Sequence, residues 1–282
     1  MTDLIRLEND TLAVAVAPMG AELQSLRWKG RELLWQGDPA WWTGQAPLLF
    51  PIVGLAPDDK VAFGDDLYDM PKHGFARRSL FDLAGAGADF CRHILRDTPE
   101  TRARFPFAFE LAATHRIEGA SLTQGVEITN RDARPIRWGA RYFGQGGGSG
   151  ATTVTLDNRA EPELARLVDG LLAPDRLASP FAAGRLQITP DLFRDDALIF
   201  PEGAGRGLTL GAETGPQLHF TFDNLPNLAI WQKVGAPFLC IEPWHGTAAA
   251  HGASPQMKER PWTVTLAPGD VARFSWTVTV QD

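Results

Sequence analysis

The sequence predicts an all-β fold, a sandwich or barrel with few and short helices, from three observations. Short segments of alternating apolar and polar residues recur along the chain. Gly, Pro, Asp and Asn fall between them, and helical periodicity is scarce. Many strands and few helices also leave parallel α/β architectures without support.

The elements follow in order. Residues 11–17 (TLAVAVA) read as a strand, ended by Pro18-Met19-Gly20. Residues 23–28 and 32–35 flank Lys29-Gly30 and predict a hairpin. Residues 107–117 and 122–129 flank Glu118-Gly119 and predict another. A Gly-rich turn separates residues 207–210 from 218–222, and Ala267-Pro268-Gly269-Asp270 lies between strands at 262–266 and 271–280. The best helical candidate is residues 161–172, where Leu164, Leu167, Val168, Leu171 and Leu172 fall near helical spacing. No fixed-period repeat and no charged linker divides the chain, so residues 1–282 are expected to form a single domain.

Composition narrows the partners. With 27 Lys plus Arg against 34 Asp plus Glu, the formal charge is −7. That balance disfavours nucleic acid, whose binding relies on cations displacing counterions from phosphates, and it disfavours an anionic membrane surface. The expected partner is a small or neutral molecule. Two cysteines, Cys91 and Cys240, sit in apolar stretches and are expected as buried free thiols. The first residues show no signal peptide and no stretch approaches the ~18 apolar residues of a membrane helix, so the chain reads as cytoplasmic. No residue pattern marks a self-complementary interface.

Several motifs fail their context. Gly146, Gly148 and Ala151 have the spacing of a dinucleotide fingerprint, but a strand-forming run at 152–156 follows where a helix is required. Residues 144–150 (GQGGGSG) therefore read as a flexible loop. His245 and His251 are too far apart for a metal pair on one element, and no third ligand is obvious.

Three other stretches could carry chemistry. In Pro71-Lys72-His73-Gly74-Phe75-Ala76-Arg77-Arg78 the turn formers place His73 on a loop or strand edge. An imidazole near its ordinary pKa can give or take a proton at neutral pH, and Arg77 offers a planar fork of donors for hydroxyls. The alternative is a solvated basic loop. In Phe238-Leu239-Cys240-Ile241-Glu242-Pro243-Trp244, alternation puts Phe238, Cys240 and Glu242 on one strand face. A carboxylate ending such an apolar run is either a placed group or the point where the strand emerges into solvent. Partial burial would raise its pKa and a nearby Arg would lower it. Asp195-Asp196 before an apolar strand either cap a turn or hold ligand hydroxyls. Nine tryptophans include Trp41, Trp42, Trp231 and Trp244, whose indole faces suit the apolar faces of sugar rings.

Taken together and in order, these stretches resemble the aldose 1-epimerase (galactose mutarotase-like) family, in its shorter bacterial branch. The resemblance runs through Gly20-Ala21-Glu22-Leu23, Leu34-Trp35-Gln36-Gly37-Asp38-Pro39 and Leu49-Phe50-Pro51-Ile52-Val53-Gly54. It continues through His73-Gly74-Phe75-Ala76-Arg77, Asp195-Asp196-Ala197-Leu198-Ile199-Phe200, residues 236–244 and Leu266-Ala267-Pro268-Gly269. It implies a large antiparallel β-sandwich, a sugar substrate, interconversion of α and β anomers, and no metal or organic cofactor. By motif, Glu242 corresponds to the general base at the C1 hydroxyl and His73 to a partner near the reacting oxygens. Arg77, Asp196 and Trp244 correspond to sugar contacts.

The sequence departs from the family's pattern in two places. Gly139-Ala140-Arg141-Tyr142-Phe143-Gly144 occupies the position of a Gly-x-His-Pro-x-Phe segment whose histidine is the family's acid. Arg141 stands where that histidine is expected; a guanidinium binds an oxygen but holds its proton, whereas Tyr142 can donate one. Leu55 likewise stands where an Arg is common. Three readings stay open: a mutarotase with a substituted acid, a sugar-binding protein without turnover, and a hexose-6-phosphate epimerase.

Overall fold

The computed structural model describes residues 4–139, 145–147, 151–212 and 215–282. The alternating segments become strands, and the strands join into antiparallel sheets. The largest runs Arg185–Gln187, Ala151–Leu156, Gly207–Ala212, Gln217–Asp223, Val271–Gln281, Ser121–Asn130, Phe109–Glu118, Phe90–Arg96 and Asp82–Ala86 in spatial order. Glu118 pairs with Ser121, so the hairpin turns on Gly119 and Ala120. Strand periodicity then sorts the faces. Leu111, Ala113, His115 and Ile117 lie beside Leu122, Gln124, Val126 and Ile128, with Phe274, Trp276 and Val278 next along the sheet, and all are buried.

A second sheet runs Gln145–Gly147, Leu239–Trp244, Asn227–Trp231 and Leu198–Phe200. Its inner face contributes Leu198, Phe200, Leu228, Ile230, Leu239 and Ile241 to the same hydrophobic core as the nine-stranded sheet. The architecture is therefore a β-sandwich with one large core between sheets. Phe50 sits at its aromatic centre, with the rings of Phe75, Phe105, Phe109 and Trp138 at 5.1–5.9 Å. Cys91 and Cys240 are buried free thiols. Among the described residues, no helix is long and apolar enough to cross a membrane.

Two expectations are corrected. Residues 161–172 are not helical: Leu167–Val168 and Leu171–Leu172 form a small hairpin around Asp169-Gly170. Both turn residues have positive φ, 52° and 77°, the geometry that an Asp-Gly pair favours in a two-residue hairpin, and that local preference outweighs the apolar spacing. Within the Gly-rich run read as a loop, Gln145–Gly147 form a strand that pairs antiparallel with residues 239–241. A glycine-rich backbone still carries the N–H and C=O groups that a sheet edge pairs. The strands at Thr263–Leu266 and Val271–Gln281 also form, but each pairs elsewhere: the first with Ile136–Gly139, the second with Ser121–Asn130 and Gln217–Asp223.

One buried pair makes the fold sensitive to acid. His93 and His115 on adjacent strands are fully buried, and neither ring hydrogen-bonds to any described residue. Burial, with His93 nearby, pushes the His115 imidazole down to about 3. Unfolded imidazoles titrate near ~6.5, so between these values the unfolded chain takes up a proton that the native state refuses. Stability is full above pH 6.5 and declines as pH falls through that window. The expected loss from His115 alone is about 2 kcal/mol between pH 7 and pH 5. Urea denaturation at the two pH values, repeated on His115→Leu, measures it as the difference between the two proteins.

Candidate active site

The outer face of the four-stranded sheet forms the floor of a cleft. Ile199, Ala229 and Glu242 stand side by side across three strands, and Trp231 pairs with Cys240. Trp244 lies two residues beyond Glu242 and so on the same face. The cleft has a volume of about 220 Å³. That is below the size usual for drug-like ligands and fits a small one.

One wall is built from two segments locked together by backbone. The Phe50 carbonyl accepts the N–H groups of Phe75 (2.9 Å) and Ala76 (3.2 Å), and the Gly54 carbonyl accepts the His73 N–H at 2.9 Å. Gly74 makes this approach possible. It adopts φ +70°, and a Cβ there would lie 2.0 Å from the Phe50 carbonyl oxygen. His73 itself is held at φ +68°. Its Nδ1 accepts the Gly54 N–H at 3.0 Å, so the neutral ring carries its proton on Nε2. Buried Arg260 braces the same wall by donating through Nη2 to the carbonyls of Val53, Leu55 and Thr247. Burial brings its guanidinium down to about 9, still a cation at neutral pH.

Lys72, Arg77, Asp196 and the tryptophans complete the cleft. Arg77 donates from Nη2 to the Lys72 carbonyl at 3.0 Å, while its buried Nε has no acceptor among the described residues. Asp196, at φ +66°, accepts the Ala197 N–H on Oδ1 at 2.8 Å. Arg166 ties down this acidic turn through the carbonyls of Leu192 (2.9 Å) and Asp196 (3.0 Å). Trp42 packs edge-on against Trp231 at 5.6 Å, and both lean on Phe238. Phe238 and Cys240 bury together beneath this aromatic wall, on the face that carries Glu242.

Electrostatics assigns different states to the two central groups. Burial, with Asp196 adding to it, raises the Glu242 carboxyl to about 8, against the opposing pull of Lys72 and the Trp244 indole N–H. The Trp244 Nε1 makes no well-formed hydrogen bond, so its effect on the carboxyl is the weaker one. The cation that favours the ionised carboxylate is Lys72. His73 also departs from the ordinary range expected of it. Burial first, then Arg77, Lys72 and Arg260, hold the imidazole well below its usual value. At neutral pH His73 is an uncharged N–H donor.

Of the residues singled out in the sequence, His73, Arg77, Asp196, Glu242 and Trp244 line this one cleft. Arg141 and Tyr142 lie outside the described residues. Lys72, Glu22, Arg166 and Arg260 carry no predicted role, and the structure supplies one for each. Lys72 was adjacent to His73, and Glu22 lay within a motif. Glu22 accepts the N–H groups of Gln45 (3.1 Å) and Ala46 (2.8 Å), fixing the segment that carries Trp42.

The fold is that of galactose mutarotase-like proteins. It matches the galactose mutarotase related enzyme of Lactobacillus acidophilus with a TM-score of 0.91 and 25% identity, covering 99% of this chain and 98% of that one. It matches a galactose mutarotase-like protein of Lactobacillus casei with a TM-score of 0.89 and 26% identity, covering 99% and 100%. In sequence the chain is 27% identical to the chromosomal protein LacX of Lactococcus lactis subsp. lactis, over 98% of this chain and 99% of that protein. The aldose 1-epimerase family model matches residues 3–259, and the chain belongs to the aldose 1-epimerase family.

Proposed function

We propose that the chain is a cytoplasmic aldose 1-epimerase acting on a free monosaccharide, with Glu242 as general base. The observation that carries this reading is the Glu242 carboxyl itself, half-buried on the cleft floor and poised near 8 among donors that fit sugar hydroxyls. A carboxylate in that range is a far stronger base than one free in water and is still ionised in useful amounts. It takes the O1 proton as the C1–O5 bond opens. Neutral His73 donates its Nε2 hydrogen to an oxygen of the reacting centre, Arg77 and Asp196 bind hydroxyls, and Trp42 and Trp231 face the ring's apolar side. Only protons and one C–O bond move, so no metal or organic cofactor enters the scheme.

The ionisation of Glu242 fixes the pH response. In the free enzyme the carboxyl is mostly protonated at pH 6 and mostly ionised above 8. The expected kcat/KM for anomer exchange therefore rises with pH about a midpoint near 8. A rate independent of pH from 6 to 9, after subtraction of the spontaneous reaction, contradicts the assignment. The replacement of the family histidine by Arg141 favours a second reading, sugar binding without turnover. Saturable sugar binding with no acceleration of anomer exchange distinguishes it.

A further inference from the structure

Opening a pyranose ring requires a proton at the ring oxygen as the base removes one from O1. The charged and titratable side chains that line the cleft, among the described residues, are Lys72, His73, Arg77, Asp196 and Glu242. Glu242 is committed as base. Asp196 is an exposed acceptor already engaged by the Ala197 N–H. Arg77 holds its protons. His73 has one ring proton only, because Nδ1 is occupied by the Gly54 N–H, and its neighbouring cations oppose a second. Losing that single proton would leave an imidazolate in a buried site.

Lys72 remains. Its backbone is pinned by the hydrogen bond from Arg77 to its carbonyl and by the Gly74 N–H to the Pro71 carbonyl at 2.8 Å. Its side chain is exposed at the cleft rim, and its ammonium has no hydrogen-bond or ion-pair partner among the described residues. It is also the group that most strongly favours the ionised form of Glu242, which places its charge in the field of the base. A lysine carries three rotatable donors on a flexible stem and, unlike arginine, can release one.

We infer that Lys72 is the catalytic acid at the ring oxygen, a role that rests on the mutarotase reading of the cleft. Glu242 takes the O1 proton, the O–H electron pair becomes the second bond of C1=O1, and the C1–O5 bond breaks with its pair on O5. O5 takes a proton from the Lys72 ammonium. This leaves the open-chain aldehyde, protonated Glu242 and a neutral Lys72 amine. After rotation about C1–C2 the reverse transfers close the ring on the other face and restore both groups. Nothing is oxidised or reduced.

The test compares wild type, Lys72→Met, Lys72→Arg and Tyr142→Phe, with galactose and glucose as probes. Anomer exchange is followed by NMR, and sugar affinity by tryptophan fluorescence. In Lys72→Met, kcat is expected to fall about 100-fold while affinity changes little. The rising limb of its pH profile moves to higher pH, a change that a merely structural residue would not produce. Lys72→Arg keeps the charge and the limb but stays slow. Added methylammonium partly restores Lys72→Met, a rescue that a misfolded variant cannot show. Lys72→Met within twofold of wild type, full activity in Lys72→Arg, or a loss confined to Tyr142→Phe would each overturn the inference. An inactive wild type would instead sink the mutarotase reading, so the two failures are separable.

Discussion

Glu242→Gln abolishes most of the catalysed anomer exchange, by about 10²–10⁴-fold in kcat, while sugar binding persists. The amide is nearly isosteric, so the floor around Ile199, Ala229 and Trp244 keeps its packing. What is lost is the group that can accept the O1 proton. The same change should make the protein more stable at neutral and higher pH. With its folded value raised to about 8, this carboxyl resists ionisation that an unfolded Glu undergoes near ~4.3. Its unfavourable contribution is absent below that lower value, grows as pH rises and is complete above 8. Removing it is expected to stabilise the fold by about 2 kcal/mol at pH 8, allowing for the partial exposure of the side chain. NMR exchange rates and urea denaturation on one pair of proteins read both effects. A fall in rate accompanied by a large loss of stability would mean that Glu242 serves the fold and not the reaction.

Gly74→Ala is the second large expected effect, and it arises from backbone alone. The added methyl would meet the Phe50 carbonyl oxygen at 2.0 Å, the Phe50 carbonyl carbon at 2.4 Å and the Pro51 nitrogen at 2.6 Å. None of these can rotate away as a side chain would. The left-handed φ adds its own penalty for any residue with a Cβ. Together they are expected to lower stability by about 3 kcal/mol. The relief is a separation of the two wall segments, which carries His73 and Lys72 away from Glu242. A shift near 1 Å in such a site slows the chemistry about 100-fold. Thermal unfolding and anomer exchange measured together check this. Unchanged activity in a folded Gly74→Ala protein would show that the 72–77 wall does not position the reacting groups.

Local rules carried most of the fold. Alternation identified the strand that presents Glu242 beside Cys240, because a period of two needs no knowledge of the partner strand. Turn chemistry found the Lys29-Gly30 corner, where both residues have positive φ. The same chemistry, in Asp169-Gly170, overrides the helical spacing of Leu164, Leu167, Val168, Leu171 and Leu172. The cleft was legible mainly through its resemblance to a family, since residue types around His73 and Glu242 admitted bland readings. What the local sequence could not show was long-range. Arg260 donates to a carbonyl 207 residues away, and nothing near Arg260 marks it as a brace. Lys72 and Glu242 are equally remote in sequence, so their electrostatic coupling exists only after the sandwich closes. The depression of the His73 imidazole likewise depends on three cations, of which Lys72 and Arg77 are neighbours in sequence and Arg260 is not.

The most direct test of the central claim is the anomer exchange of galactose and glucose by NMR at pH 8, with and without the protein. Exchange should exceed the spontaneous rate in proportion to protein concentration, and Glu242→Gln should return it to within a small fraction of that excess. A rate equal to the spontaneous one for both sugars, with folded protein and saturable sugar binding, would contradict the account and leave the cleft as a binding site alone.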